Sequence, residues 1–352
     1  MKITTKECVL HFKQPAGTSR GVYTERRIWL VIMSEGPVKG IGECAPLPQL
    51  SCDDLPDYGE KLRMKSEEFA AAIEQGEAAV STFFESLRDY PSMLFGFETA
   101  LLTLRHLPST FHLPLLFDTP FSRGETGIPI NGLVWMGNYD EMLRRMEEKL
   151  EQGFRCVKLK IGAIDFDREL DLIKRIRQRF SHHEVELRLD ANGAFSFDEA
   201  LYKLELLSQY NIHSIEQPIR QGQWSFMAEL CRESPLPIAL DEELIGVNDP
   251  EQKRQMLNII RPRYIILKPS LHGGMAGTRE WIQIAHDMGI GSWITSALES
   301  NIGLNAIAQF CSAVYGDRIT MPQGLGTGQL FTDNIPMPLE IRGDQLWISK
   351  NS

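Results

Sequence analysis

Val157-Lys158-Leu159-Lys160-Ile161, Leu187-Arg188-Leu189-Asp190-Ala191-Asn192-Gly193, Ser214-Ile215-Glu216-Gln217-Pro218, Ala239-Leu240-Asp241-Glu242-Glu243 and Ile265-Ile266-Leu267-Lys268-Pro269 are five versions of one pattern. Each is a short apolar run with ionisable residues at or near its end, and the runs recur about every 25 to 30 residues, close to one strand-helix unit. Strands of a parallel sheet are buried on both faces, so they should be apolar throughout. A charge near the C-terminal end of such a strand therefore marks a place where chemistry is done.

Working outward, strands are predicted at Ile128–Trp135, Cys156–Ile161, Glu186–Leu189, Ser214–Gln217, Ile238–Asp241, Tyr264–Lys268, Ser292–Thr295 and Thr320–Gln323. Amphipathic helices are predicted between most of them, at Asp140–Gln152, Asp167–Phe180, Phe197–Tyr210, Trp224–Glu233, Gln252–Asn258, Ala276–Met288 and Ile302–Tyr315. Eight strands alternating with helices favour a closed parallel barrel over an open doubly wound sheet. The first part of the chain reads differently, with a strand-like run from Glu25 to Met33 and then helical spacing from Met64 to Arg105, which predicts an α+β cap. Expected divisions are a cap over 1–115, a barrel over 116–325 and a C-terminal segment over 326–352. In that last segment Gln345–Ser349 is predicted as a strand returning to the cap and closing its sheet.

Side chains two apart on a strand share a face, so Lys158 points with Lys160, and Arg188 with Asp190; both pairs are assigned to the interior. Asp190, Glu216 and Asp241, from three adjacent strands, cannot all stay ionised in a low-dielectric site without a cation. An all-oxygen set without His or Cys suits a hard divalent ion, Mg²⁺, with Mn²⁺ as a substitute. Lys160 on one side and Lys268 on the other would then flank a carboxylate bound at the metal, and an amine kept partly neutral by neighbouring cations can take the proton α to that carboxylate. The resulting enediolate would be stabilised by the ion. Ion pairs closing a barrel mouth could account for any one of these residues. They account poorly for three acids and three lysines on consecutive strand ends.

Length and composition agree. With 352 residues, 43% hydrophobic and 24% charged, the chain can bury a large core, and disordered, collagen-like and repeat architectures are excluded. A net charge of −10 disfavours nucleic acid and anionic membranes as partners and leaves a small molecule, which the lysines and acids above make a carboxylate; oligomeric state is undetermined. The first residues lack a signal-peptide core, and runs such as Ile28–Met33 are too short to span a bilayer, so a soluble cytoplasmic protein is expected. Six scattered cysteines without a C-x-x-C pair signal neither zinc nor disulfides. His182-His183 reads as solvated surface, and His213 and His272 as structural. Arg26-Arg27 reads as surface charge or cap sheet, and Gln14–Gly21, rich in turn formers, as a flap over the site or an ordinary hairpin loop.

Together, Lys158-Leu159-Lys160, Asp190-Ala191-Asn192, Glu216-Gln217-Pro218, Asp241-Glu242, Lys268 and the run Gly40-Ile41-Gly42-Glu43-Cys44-Ala45-Pro46-Leu47-Pro48 resemble the enolase superfamily, in its K-x-K (muconate lactonizing enzyme) branch. The resemblance implies an α/β fold, a modified TIM barrel (β/α)7β with an N-terminal α+β capping domain completed by the C-terminal tail. It implies Mg²⁺ on Asp190, Glu216 and Asp241, with Asn192, Arg188 and Glu242 supporting that set. Within the branch, Gly42–Pro48, Arg188–Asn192, Ser296-Ala297-Leu298-Glu299-Ser300 and Gly324-Leu325-Gly326-Thr327 look most like the menaquinone-pathway dehydratases, which turn a succinyl-hydroxycyclohexadiene carboxylate into an aromatic product. By that resemblance Lys160 takes the α proton and then, as its conjugate acid, helps hydroxide leave from the same face. Lys268 stabilises the enediolate or ring as a cation, and Lys158 tunes Lys160.

The branch also contains N-acylamino acid racemases and dipeptide epimerases that use the same lysine pair. Dipeptide epimerases place an Asp-x-Asp pair near the eighth strand for the substrate ammonium, whereas Gly324–Gly328 has no acid and Asp333 lies beyond it. A glycine-rich loop at Gly324 with the Ser296 hydroxyl nearby suits a carboxylate instead. A Schiff-base aldolase using Lys268 leaves the three acids unexplained, and a noncatalytic binding protein has no need of them. Gly324-x-Gly326-x-Gly328 lacks the spacing of a dinucleotide or phosphate loop.

Overall fold

Alternating burial along Gly21–Glu35 (β2) sets the first layer of the molecule, seen in a computed structural model that describes residues 1–18, 21–106, 114–135, 137–316 and 319–349. Arg26, Ile28 and Leu30 are buried on one face, between exposed Glu25 and Arg27, while Val31 and Met33 are buried on the other. β2 is the centre of a three-stranded antiparallel sheet, between Lys2–Thr18 (β1) and Val38–Cys44 (β3). Val31 and Met33 pack with the cap helices; Ile28 and Leu30 pack with Ala297, Leu298 and Ile302 of the barrel. The expected helical stretch is three helices, Tyr58–Gln75 (α1), Glu77–Glu85 (α2) and Pro91–Arg105 (α3). After an irregularity between His11 and Ala16, β1 and β2 pair again as far as Thr18 and Gly21, so most of the expected flap is strand, and its Ser19 and Arg20 lie outside the described residues.

The β5 to β11 sheet is parallel, in the order Gly132–Val134 (β5), Cys156–Lys160 (β6), Glu186–Asp190 (β7), Ser214–Glu216 (β8), Ile238–Leu240 (β9), Tyr264–Leu267 (β10) and Gly291–Ile294 (β11). The intervening helices are Tyr139–Glu151 (α4), Phe166–Arg179 (α5), Phe197–Ser208 (α6), Trp224–Glu233 (α7), Pro250–Ile260 (α8) and Gly274–Asp287 (α9), followed after β11 by Asn301–Tyr315 (α10). Their starts follow from local chemistry: Asn138 and Glu141 form a capping box on α4, and Asp165 and Asp249 cap α5 and α8.

Three expectations need correction. Ile128–Trp135 is not one barrel strand. Ile128–Pro129 (β4) pairs outward with the tail, and the chain joins the barrel only from Gly132. The eighth strand is reduced to single bridges, Gln323 to Ile130 and Gly324 to Thr295, which join the two edges of the seven-stranded sheet. The tail's Leu339–Arg342 (β12) and Gln345–Ile348 (β13) form a hairpin on β4 and do not extend the cap sheet; the tail meets the cap earlier, where Phe331 bridges Phe12 of β1. Pro129 and Pro322 account for the first two, since neither has an N–H to give a ladder and regular pairing breaks beside them; in the third, β4, left outside the barrel sheet, is the strand on which the tail hairpin pairs.

Candidate active site

Register brings the strand ends to one height. Lys160 of β6 pairs with Asp190 of β7, and Asp190 with Glu216 of β8. Asp241 follows β9 and Lys268 follows β10. The connection is tightened by Gln217, whose Oε1 accepts from the backbone N–H of Asp241 and of Glu243, both at 3.2 Å, while its Nε2 donates to Glu243. Asn192 and Gln217 have φ of 44° and 42°, left-handed turns just past the strands; Asn tolerates this region comparatively well, Gln less so.

A pocket open to solvent, about 690 Å³ with the solvent space at its mouth included, gathers ten of the eleven residues read from the sequence: Lys158, Lys160, Asp190, Asn192, Glu216, Asp241, Glu242, Lys268, Ser296 and Gly324. Lys160 Nζ donates to Asp190 at 2.8 Å and to Asn192 Oδ1 at 2.7 Å, and Asn192 Nδ2 donates to Glu242 at 2.9 Å. Lys158 Nζ bridges Glu216 at 2.9 Å and Asp190 at 3.1 Å. Lys268 pairs with both oxygens of Asp241. Ser296 Oγ lies 2.5 Å from Thr327 Oγ1.

Arg188 is the exception. It points inward as expected, but Nε bonds Glu186 at 2.7 Å, Nη1 bonds the Pro322 carbonyl at 2.9 Å, and the guanidinium lies 4.5 Å from the Trp293 ring centroid. It braces the barrel below the acids rather than supporting them, because two residues along a strand is a full layer of the interior. Asp333 is committed elsewhere too, bonding the backbone and ring of His11 at the surface. His272 is buried and its Nδ1 accepts from the Lys268 backbone N–H at 2.9 Å, a structural role. The six cysteines are free thiols, Cys52 being exposed.

Electrostatics follow from burial and crowding. Burial raises Glu216 well above the ordinary carboxylate range, and Asp190 beside it adds to the rise. Burial also works against the charges of Asp190 and Asp241, but Lys158 and Lys160 overcome it at Asp190, and Lys268 at Asp241, which falls to about 2. Lys268 is raised, its loss of solvation outweighed by Asp241 and Glu216. Among the described residues, no three acids are already drawn around a cation position; lysine ammoniums stand between them. The donor set nonetheless fits a hard divalent cation. Asp190, Glu216 and Asp241 are each at most 2% exposed, offer only oxygen, and face one cavity where their mutual repulsion is strong.

The remaining wall was not singled out in the sequence as site. Leu47 and Leu50 come from the cap, Trp135 and Leu133 from the first barrel strand and its end, and Ala297 and Leu298 from the turn after β11. Lys160 Nζ lies 5.9 Å from the Trp135 ring centroid. The legible signal for Trp135 was an aromatic at a predicted strand end, and for Leu47 its place in the Gly42–Pro48 run.

A family described as "Enolase C-terminal domain-like" matches residues 141–349. The chain belongs to the enolase superfamily. A second family, "MenC, N-terminal domain", matches residues 18–104. The o-succinylbenzoate synthase of Desulfotalea psychrophila is 47% identical, over 99% of this chain and 99% of that protein. The crystal structure of MenC from Desulfotalea psychrophila superposes with a TM-score of 0.85 at 43% identity, covering 99% of each chain. The L-Ala-D/L-Glu epimerase of Bacillus subtilis, at 19% identity and a TM-score of 0.77 over 99% of this chain and 96% of that one, shares the fold. The (β/α)7β barrel with its cap is thus the superfamily's architecture, and superfamily members generally depend on a divalent metal. Among the described residues no helix is long and apolar enough to cross a membrane.

Proposed function

We propose that this chain catalyses the reaction of an o-succinylbenzoate synthase in the cytoplasm: dehydration of 2-succinyl-6-hydroxy-2,4-cyclohexadiene-1-carboxylate to o-succinylbenzoate and water, a step of menaquinone biosynthesis. The observation that carries this reading is the pair of lysines set on opposite sides of three buried acids, Lys160 at the end of β6 and Lys268 after β10, in a chain 47% identical end to end to an enzyme of that name. The proposed parts of this chain are a cap over 1–115, a barrel over 116–325 whose parallel sheet begins at Gly132, and a C-terminal segment over 326–352 whose hairpin pairs with β4.

Asp190, Glu216 and Asp241 would hold Mg²⁺, or Mn²⁺ in its place. When bound, the ion supplies positive charge that neutralises the acids and receives the charge developing on the substrate carboxylate. Lys160, released from Asp190, takes the proton α to that carboxylate; the C–H electron pair moves toward the carboxylate. The ammonium so formed returns the proton to the ring hydroxyl on the same face as the C–O bond breaks, and water and the aromatic ring are the products. Lys268 stays an ammonium on the opposite side, which its raised pKa favours, and attracts the electron-rich ring. Lys158 bridges Asp190 and Glu216 and places a second ammonium on the strand face that carries Lys160. Ser296 and the backbone at Gly324 would receive the succinyl carboxylate, with Asn192 and Glu242 fixing the Lys160 amine. Epimerisation of dipeptides is disfavoured because Asp333, the acid nearest to that role, is tied to His11 outside the pocket.

The test is the loss of diene absorbance when the purified protein meets the cyclohexadiene carboxylate with Mg²⁺ and with EDTA. Rapid, chelator-sensitive aromatisation is expected. No turnover with Mg²⁺, together with α-proton exchange on N-acyl amino acids, would replace this reading by a racemase.

A further inference from the structure

Arg26 sits in the middle of β2 with 1% of its surface exposed. An arginine has five N–H donors, and here all of them go to main-chain carbonyls. Nη1 donates to Pro46 at 2.5 Å and to Arg27 at 3.4 Å, Nη2 to Ala45 at 2.6 Å and to Ala297 at 3.4 Å, and Nε to Leu298 at 3.2 Å. Burying a guanidinium on carbonyls alone is costly, because a carbonyl dipole replaces water less well than a carboxylate does. The two loops it joins come from opposite halves of the molecule. Ala45 and Pro46 lead into Leu47 and Leu50 on the cap, while Ala297 and Leu298 form the turn after β11, and four of these side chains line the catalytic pocket. Leu298 has φ of 64°, a left-handed conformation that a leucine adopts only under constraint, and its carbonyl is the one held by Nε.

We infer that Arg26 is a positioning residue: it bolts the cap wall of the pocket to the barrel wall and fixes the distance between Leu47 and Leu298, and with it the fit of the part of the substrate remote from the reacting carbon. This rests on the reading of the pocket as the dehydration site. Arg26 touches no reacting atom, so its loss acts on binding. Lysine, with a single ammonium of shorter reach, cannot hold carbonyls on both sides at once.

The test is Arg26→Lys in the full chain, with two readouts. Hydrogen exchange should accelerate at least about tenfold in both 45–50 and 296–300, with barrel strands β6 to β8 unchanged. Loosening of only one segment, or of neither, overturns the clamp whatever the substrate proves to be. In steady-state dehydration, KM should rise about tenfold or more while kcat stays within about threefold, the signature of lost binding that does not touch the chemical step. A fall in kcat at constant KM overturns the assignment to fit. If wild type does not dehydrate the cyclohexadiene carboxylate, the proposed function fails, and the exchange result still decides the clamp. Leu298→Gly, which adopts a positive φ freely, guards against a variant that does not fold. It should raise KM on its own, and it should shrink the effect of Arg26→Lys at least about threefold when the two are combined. An unchanged KM in Leu298→Gly, or equal effects of Arg26→Lys in both backgrounds, overturns the link.

Discussion

Lys158 and Lys160 share a strand face, yet what each ammonium touches separates their roles. Lys158 Nζ is spent on two carboxylates, Asp190 and Glu216, whereas Lys160 Nζ has one carboxylate and the neutral Asn192 amide oxygen. Removing Lys160 therefore takes away a proton carrier without unmaking the acid cluster. Lys160→Ala should lower dehydration by about 10³-fold or more while Mn²⁺ affinity, followed by electron paramagnetic resonance, stays within about threefold. Residual activity near wild type would remove Lys160 from the proton transfer. Asp241→Asn acts on the other half of the site, and the Mg²⁺ concentration giving half-maximal rate should rise at least about tenfold; an unchanged Mg²⁺ titration counts against Asp241 as a ligand. These residues were legible because an ionisable side chain at the end of a strand buried on both faces has few structural excuses. Arg188 obeyed the same rule and misled, since the pattern gives the face of a residue and not its layer. Arg26-Arg27 reads from the sequence as surface charge or cap sheet, and the pair lies in β2 of the cap sheet; only the alternation seen in the folded sheet shows one arginine buried and the next exposed.

The elements that position the site were legible where the period was long and the caps were standard, as in α4 and α5, and illegible where an element is only two residues wide. Gln323 and Gly324 close the barrel with single bridges, too short to carry a period, and β4 is read as barrel because Ile128–Trp135 is apolar but for Asn131. The packing of α3 on β3 has a clearer signature. A β carbon on Gly40 or Gly42 would collide with the carbonyl of Ala100 or of Gly96, and one on Gly96 would collide with Cys44 Sγ. Glycine is needed on both surfaces so that the helix backbone can lie directly on the strand that carries Glu43. Gly96→Ala should then destabilise by ~1–3 kcal/mol through overpacking, despite alanine's better helix propensity. Urea unfolding checks it: a variant as stable as wild type would mean that the helix slides without cost.

Cap and barrel meet through carboxylates that do no chemistry. Glu43 of β3 accepts from the Ser300 N–H, the Ser300 hydroxyl and the Gly303 N–H at the start of α10, and Glu98 of α3 accepts from the N–H groups of Met275 and Ala276 in the first turn of α9. The cap thus seats on the exposed donors of two barrel helices, at the end of the barrel where the pocket opens. Burial raises both acids to about 7, with Glu299 adding to the rise at Glu43. Their ordinary value is 4.5, so between pH 4.5 and 7 the folded protein holds more protons on them than the unfolded chain does. Linkage then makes their contribution to stability largest below that window; it falls as pH rises through it and is level above 7. Glu43→Gln removes one such group. The drop in Tm from pH 5 to pH 7.5 should therefore be shallower in Glu43→Gln than in wild type, and shallower again in Glu43→Gln with Glu98→Gln, since the two seats lie on different helices and their effects should add. Parallel Tm profiles for wild type and both variants would mean that the seats stay ionised across the range, and that the helix starts hold the charge against burial.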